Sequence, residues 1–404
     1  MFRRAPSLPP NPDLLEEAGR CVACGLCLPH CPTYRKTLNE ADSPRGRIAL
    51  MRGVLEGRVP LNERLVGHLD LCLGCRACEN ACPSRVEYGK LADGMREIIE
   101  PRRRRPLLRK LTRQALLAGA ARPAWLKLGG YLLRGWQGVA GRRGLPEIRP
   151  FRHGRTVYPA AGQPRGEIGL FLGCVARLTD AETLASAIYV LNRLGYTVHV
   201  PPGQTCCGAL HLHEGAPEKA RLLQQQNLLA FRGLELTAVV HAASACGATL
   251  RDSAGDGGAF PAPVREICDF LHRAEGWEGV RIAPLEAVVA VHEPCSLRNV
   301  LHGEKAPYGL LARIPGATVI PLPGNDQCCG AGGLYRLEQP EMADTLLRDK
   351  IEAVKASGAS IAATTNPGCA MHLAAGLRAA GMTTGMRHPV TLLARQMGME
   401  ILPK

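Results

Sequence analysis

Residues 21–32 read CVACGLCLPHCP and residues 72–83 read CLGCRACENACP. Both follow C-x2-C-x2-C-x3-C-P, the spacing by which thiolates hold cubane iron–sulfur clusters. Three thiolates two residues apart wrap one face of a cluster, and the fourth, after a longer gap, is turned away by the proline that follows. In two-cluster proteins that fourth cysteine serves the other cluster. The expected sets are therefore Cys21, Cys24, Cys27 and Cys82 for one [4Fe–4S] cluster, and Cys72, Cys75, Cys78 and Cys31 for the second. Zinc knuckles are the alternative, but zinc motifs present paired C-x2-4-C and have no use for the repeated Cys-Pro.

Composition bounds the rest. With 404 residues, 46% hydrophobic and 21% charged, the chain is long enough for two or three globular domains. Seventeen cysteines is an odd number, the N-terminus lacks the apolar core of a signal peptide, and no apolar run approaches membrane-spanning length. A reducing cytoplasm with thiolate–metal sites is the expectation, rather than a disulfide framework. The net charge of +14 is local: residues 101–155 hold fifteen Lys and Arg against one acid, Glu147, and the remainder balances. A basic surface for nucleic acid is not indicated.

Around the two motifs the sequence predicts helices. NPDLLEEAGR leads into the first, and DSPRGRIALMRGVLEG places Ser43 as an N-cap with Pro44 at the first helical position. LNERLVGHLDLC and SRVEYGKLADGMREIIE flank the second. Arg45 and Arg47 are expected as solvated helix charges rather than neighbours of a cluster. In the basic segment, Leu residues interleave with Trp125, Tyr131 and Trp136. That composition suits an amphipathic stretch lying on an anionic membrane surface or docking to an acidic partner; a linker packing on its own protein is the plainer alternative.

Beyond residue 165 a second pattern repeats. Cys174, Cys206, Cys207 and Cys246 recur as Cys295, Cys328, Cys329 and Cys369, at offsets of 121, 122, 122 and 123. An apolar strand precedes the first cysteine of each set (EIGLFLGC, AVVAVHEPC), a second strand precedes Cys-Cys-Gly, and a third precedes the last cysteine. Strands alternating with helices predict α/β units with a mainly parallel sheet, the cysteines at its ligand-binding edge. Each set is a candidate centre for a further cluster or zinc. Buried thiols or a strained vicinal disulfide are the alternatives. Cys268 has no counterpart and is expected as a buried thiol. His211, His213, His241 and His292 are expected as satisfied polar residues. The glycines of CCGAGG at 328–333 lack the ending of a phosphate loop, and dinucleotide spacing is absent.

Two ferredoxin motifs followed by two Cys-Cys-Gly repeats resemble the family of the glycolate oxidase iron–sulfur subunit, the anaerobic glycerol-3-phosphate dehydrogenase C subunit and the cysteine-rich subunit of heterodisulfide reductase. CPTY at 31–34, SPRGRI at 43–48, HLDLCLGCRACENACPS at 68–84 and NPGC at 366–369 are most similar to the first of these. Heterodisulfide reductase repeats end in C-x-x-C; here Thr249 and His372 take the last position, which argues against that activity.

The resemblance implies a multi-domain α+β and α/β chain. A helical ferredoxin-like module (residues 1–100) is followed by the basic linker (101–165) and two Cys-Cys-Gly repeats (166–283 and 284–404). It further implies an electron-transfer subunit of a glycolate dehydrogenase, inert towards substrate alone. An FAD-containing partner would oxidise glycolate, and D-lactate as an extension, while this chain passes electrons to a quinone or other acceptor. Peripheral attachment to the cytoplasmic face of the inner membrane would extend the membrane reading. The equivalent glycerol-3-phosphate or lactate dehydrogenase subunit, a heterodisulfide-reductase-like enzyme and a zinc-bound scaffold are the rival readings.

Overall fold

The computed structural model describes residues 11–140, 148–152, 154–252 and 259–400. Of the basic segment, Arg142, Arg143 and Glu147 lie outside the described residues, as do residues 1–10 of the lead-in. The chain divides into two compact units. The first comprises residues up to Leu117 with Leu210–Ala220 and Asp326–Leu347; the second comprises Ala118–Ala209, Arg221–Asn325 and Arg348 onward.

The first unit is built on short helices: α1 (Pro12–Gly19), α2 (Pro32–Thr37), α3 (Pro44–Leu55), α4 (Glu63–Asp70), α5 (Ala77–Asn80) and α6 (Tyr88–Ile99). Their starts are written in the sequence. Asn11, Ser43 and Asn62 each accept a backbone N–H at an N-terminus, and Pro12, Pro32 and Pro44 occupy first-turn positions where no N–H is needed. The Ser43 hydroxyl takes the Gly46 N–H at 2.9 Å. A Cβ at Gly46 would lie 1.9 Å from the Glu40 carbonyl, so only glycine lets α3 begin this close to the preceding turn. The buried faces of α1, α3, α4 and α6 meet through Leu14, Met51, Leu65, Leu91 and Met95.

Helices α7 (Leu107–Ala121) and α8 (Pro123–Ala140) follow. The chain continues with β1 (Val157–Tyr158), β2 (Gly166–Phe171), α9 (Val175–Thr179), α10 (Ala181–Arg193) and β3 (Tyr196–His199). Next come α11 (Ala209–His213), α12 (Pro217–Phe231), β4 (Ala238–His241), α13 (Ser244–Asp252), β5 (Val264–Glu266) and α14 (Ile267–Arg273). The second half runs β6 (Ala287–Val291), a π-helical turn at Ser296–Leu301, α15 (Ala306–Leu311), β7 (Ala317–Pro321), α16 (Tyr335–Glu338) and α17 (Pro340–Ala356). It closes with β8 (Ile361–Ala363), α18 (Pro367–Ala379), β9 (Gly385–Arg387) and α19 (Pro389–Gln396).

Among the described residues two sheets form, ordered β1-β3-β2-β4-β5 and β7-β6-β8-β9. Every pairing is parallel except β1 with β3. Leaving β1 aside, the sheets have one topology, as the duplicated cysteine pattern predicts. Central strands such as β2 are buried on both faces, which suits their unbroken apolar sequence. The sequence reading missed the fourth strand of each sheet. β5 and β9 have three residues each, without apolar alternation, and exist because β4 and β8 offer open edges. The repeats meet through α10 against α19, where Thr183 and Thr391 hydroxyls lie 3.1 Å apart and the Tyr189 hydroxyl donates to the Met397 carbonyl at 2.9 Å.

Candidate metal centres

In the first unit the eight motif cysteines sort into two pockets. One, with about 410 Å³ of empty space counted out to its open mouth, is lined by Cys21, Cys24, Cys27 and Cys82, with Cys78 at its margin. The other, about 320 Å³ by the same measure, is lined by Cys31, Cys72, Cys75 and Cys78. Each pocket thus holds three cysteines of one motif and the Cys-Pro cysteine of the other. Pro44, Cys78 and Tyr88 line both, so the pockets adjoin.

The residues fit iron–sulfur clusters on three local observations. The backbone beside the middle cysteine of each C-x2-C-x2-C run is left-handed on both sides: Ala23 (φ 55°) and Gly25 (φ 84°) flank Cys24, while Gly74 (φ 64°) and Arg76 (φ 58°) flank Cys75. For Ala and Arg that conformation costs about 1 kcal/mol or more and persists only where the surroundings enforce it. Such turns aim N–H groups inward, suited to a negatively charged group; Gly74 N–H points at Cys72 Sγ (3.4 Å) and Val86 N–H at Cys82 Sγ (3.5 Å). Finally, the Tyr88 hydroxyl is buried beside both pockets without a hydrogen-bond partner.

The charges around the pockets correct the expectation for Arg45 and Arg47. Arg47 is 1% exposed. Its Nε donates to the His68 carbonyl (2.7 Å), Nη2 to the Thr33 hydroxyl (3.0 Å), and Nη1 reaches Cys31 Sγ at 3.9 Å. Burial opposes its charge, but Tyr88, Cys72, Cys31 and Asp42 outweigh that and hold its pKa up. Arg45 pairs with Glu40 at 2.7 Å, donates to the Ala23 carbonyl at 3.0 Å and lines the first pocket. Arg96, which the sequence did not single out, donates to the Cys72 carbonyl at 3.2 Å and pairs with Asp93 at 3.1 Å. Helical periodicity marks Arg47 as polar; it cannot say that a carbonyl and a hydroxyl wait inside to receive it.

The first unit also contains the Cys-Cys-Gly loop of the second repeat. The Tyr335 hydroxyl donates to the Leu71 carbonyl at 2.9 Å, and Gly332 comes so near Leu73 that a Cβ would stand 3.1 Å from its carbonyl oxygen. Burial raises the Cys75 thiol, and Cys328 is close enough to raise it further.

In the second unit the four cysteines of the first repeat converge. Cys174 follows β2, Cys206 and Cys207 follow β3, and Cys246 lies in the first turn of α13 after β4, so adjacent parallel strands deliver them to one edge. Cys174 and Cys206 sulfurs are 3.5 Å apart. Hydrogen bonds from Cys206 and Cys246, with burial, raise the Cys207 thiol, and Cys206 with burial raises Cys174. Gly173, at φ +67°, leaves room for Cys246: a Cβ there would lie 3.3 Å from its sulfur. A closely packed thiol set holding its protons by mutual repulsion releases them to a soft metal. No disulfide joins any of the seventeen cysteines.

The sequence reading missed the groups that hold this loop. The buried Gln204 amide accepts from Leu172 N–H (3.0 Å) and donates to the Leu170 carbonyl (3.1 Å), while Asn227 accepts from Thr205 N–H (2.8 Å) and donates to the Cys206 carbonyl (2.9 Å). Asn325 repeats the role of Gln204 in the second repeat, accepting from Glu293 N–H and donating to the Val291 carbonyl. A side-chain amide shortly before each Cys-Cys pair was the available signal. Cys295 and Cys369 follow β6 and β8 in the second unit, whereas Cys328 and Cys329 belong to the first. Two of the four histidines depart from expectation: buried His211 and His241 each have an Nδ1 without a hydrogen-bond partner. His213 pairs with Asp93 at 3.0 Å and His292 Nδ1 meets the Thr364 hydroxyl at 3.0 Å.

Comparison with known proteins agrees with this layout. Residues 17–86 match the 4Fe-4S dicluster domain, and residues 168–251 and 289–374 match the cysteine-rich CCG domain. The chain is 32% identical to the glycolate oxidase iron-sulfur subunit of Escherichia coli (strain K12), and 31% identical to the probable glycolate oxidase iron-sulfur subunit of Bacillus subtilis (strain 168). Each alignment covers 94% of both chains. Lactate utilization protein A 2 of Bacillus cereus (strain Q1) is 25% identical over 57% of this chain and 98% of its own. With its cysteine pockets, its duplicated sheets and this similarity from end to end, the chain belongs to the glycolate oxidase iron–sulfur subunit family.

Proposed function

We propose that this chain is the electron-carrying subunit of a glycolate dehydrogenase, taking electrons from an FAD-containing partner that oxidises glycolate to glyoxylate. The observation that carries the reading is the sorting of eight thiols into two adjoining pockets, each completed by a cysteine of the other motif. In it, Cys21, Cys24, Cys27 and Cys82 hold one [4Fe–4S] cluster, and Cys72, Cys75, Cys78 and Cys31 the other. Clusters held there supply one-electron transfer with little rearrangement. The chain's own residues set the conditions. Ala23, Gly25, Gly74 and Arg76 fold the motif backbone back on itself, Tyr88 and Pro44 line both pockets, and buried Arg47 with partly exposed Arg96 places positive charge beside the second. That charge favours the reduced state there, giving a downhill order from the first pocket to the second. Cys328 beside Cys75 suggests the next station, at the second repeat. The first-repeat set Cys174, Cys206, Cys207 and Cys246 is a further metal centre in this reading, of cluster or zinc type.

Hydride or proton abstraction from a 2-hydroxy acid needs a flavin or nicotinamide as immediate acceptor, and the sequence has no loop of dinucleotide spacing. The flavin is therefore assigned to the partner, and a quinone is the proposed acceptor. No described helix is long and apolar enough to cross a membrane. A surface route to quinone is offered by α8, whose exposed Trp125, Leu128, Leu132 and Trp136 share one helical face. The kinship with a lactate utilization protein makes D-lactate the second substrate to try.

Reconstitution with the flavoprotein tests the reading. Wild-type subunit should restore glycolate-driven reduction of a quinone analogue, whereas Cys24→Ser or Cys75→Ser should leave the flavin reduced and turnover stalled. Glycolate oxidation by the isolated flavin-free chain, or full turnover with both variants, would refute it.

A further inference from the structure

Cys268, the one cysteine outside every repeated set, does not sit among apolar side chains alone. It lies in the first turn of α14, after Glu266, which ends β5 and caps that helix: Glu266 Oε2 accepts from the N–H groups of Cys268 (2.7 Å) and Asp269 (3.2 Å). His388 stands 122 residues further on, at the same strand-to-helix junction of the second repeat, where its Nδ1 accepts from Val390 N–H at 3.1 Å. A capping side chain ordinarily turns its remaining polar atom to water. Here both are 5% exposed, and their remaining atoms, Glu266 Oε1 and His388 Nε2, have no hydrogen-bond partner and face each other at 4.0 Å. The Cys268 sulfur, wholly buried, completes the group: the three donor atoms lie within 4.8 Å of one another.

Two unpartnered polar atoms aimed at one buried point are costly unless something occupies it. We propose that Glu266, Cys268 and His388 form a structural site for one zinc-class divalent cation, joining the β5–α14 junction of the first repeat to the β9–α19 junction of the second. One sulfur, one imidazole nitrogen and one carboxylate oxygen make a borderline donor set, which suits zinc and not the all-oxygen shells of calcium or magnesium. Tetrahedral zinc separates its ligand atoms by roughly 3.5 Å, so the donor atoms, 4.0 Å apart for the oxygen and nitrogen and all within 4.8 Å of one another, would close by roughly 0.5 to 1.3 Å on binding. His241, buried at the end of β4 and opposite Glu266 in the β4–β5 register, leaves its own Nδ1 unpartnered; it or a water would take the fourth position. The site is independent of the motif and Cys-Cys-Gly cysteines.

Full-length protein, produced in zinc-supplemented medium and assayed for zinc and iron, tests the assignment. Glu266→Gln retains a capping oxygen, His388→Asn retains a capping acceptor and Cys268→Ala removes only the sulfur. Each should lose one equivalent of zinc per chain at unchanged iron content. Chelator should lower the melting temperature of wild type by several degrees and leave the variants unmoved. Equal zinc in wild type and a folded variant, or a wild type without zinc, would overturn the proposal; either of two caps-retaining variants suffices should Cys268→Ala not fold. Turnover in the reconstituted complex reads the proposed electron-transfer role separately.

Discussion

Replacing Arg47 by Gln removes a buried positive charge whose nearest nitrogen is 3.9 Å from Cys31 Sγ. The centre of a cluster bound through that sulfur would lie roughly 7 Å from the guanidinium, where a unit charge at an effective dielectric of about 20 is worth about 2.4 kcal/mol. At about 2.3 kcal/mol per 100 mV for one electron, the midpoint potential of that centre should fall by about 100 mV, because the reduced cluster is the more negative state. The substitution also breaks bonds to the His68 carbonyl and the Thr33 hydroxyl, so some loss of stability accompanies it. Arg47→Lys separates the two effects. It keeps the charge but not the fork, and should show the stability loss with only a minor shift in potential. Arg52→Gln on the same helix, an exposed side chain paired with Glu56 at 2.8 Å, is the surface control. The assay is a potentiometric titration followed by electron paramagnetic resonance, which resolves the two centres. Midpoints unmoved in Arg47→Gln, or both centres moving equally, would refute the assignment of Arg47 to the Cys31 pocket.

Cys82→Ser should disturb the same spectroscopic centre as Cys24→Ser, although the two lie in different motifs; selective damage to the Cys72 side would overturn the crossed ligand sets. Gln204→Leu should loosen the Cys206–Cys207 loop and reduce metal retained by the first repeat, with motif iron unchanged as the comparison. Arg113→Ala should destabilise the first unit by about 2 kcal/mol, since it leaves the Glu214 carboxylate, paired at 2.6 Å and little exposed, without its partner; denaturant titration reads this. Gln at exposed Arg104, Arg109 and Lys110 should weaken binding to anionic vesicles by up to about 100-fold at low salt, at about 1 kcal/mol per residue. Unchanged partition would exclude the lipid surface.

The cysteine chemistry was legible because spacing is itself the constraint. C-x2-C-x2-C needs a backbone that turns back on itself, and Ala23, Gly25, Gly74 and Arg76 supply that turn in both motifs. The duplication was legible for a similar reason: a parallel strand presents its last residue at one sheet edge, so cysteines that recur with their strands recur in place. Ser43-Pro44 located a helix start to the residue, since cap and first-turn proline leave little else for that dipeptide to do.

What stayed hidden depends on partners distant in sequence. Arg105 illustrates it. In the sequence it is one of four consecutive arginines, suited to a lipid surface; in the fold it bridges Glu100 (3.0 Å) and Glu338 (2.8 Å), while Arg103 is paired with Asp70 and Arg113 with Glu214. The run therefore divides by function. Its alternate members are consumed inside the first unit, and only residues such as Arg104, Arg109 and Lys110 remain on the surface to act on anything outside. The same dependence hides Glu266 and His388, ordinary in their local sequence, whose significance arises only because the two repeats bring equivalent junctions together. Local pattern fixes which elements form; long-range closure decides which polar residues are enclosed, and enclosed polar residues are where this chain's chemistry can be altered one side chain at a time.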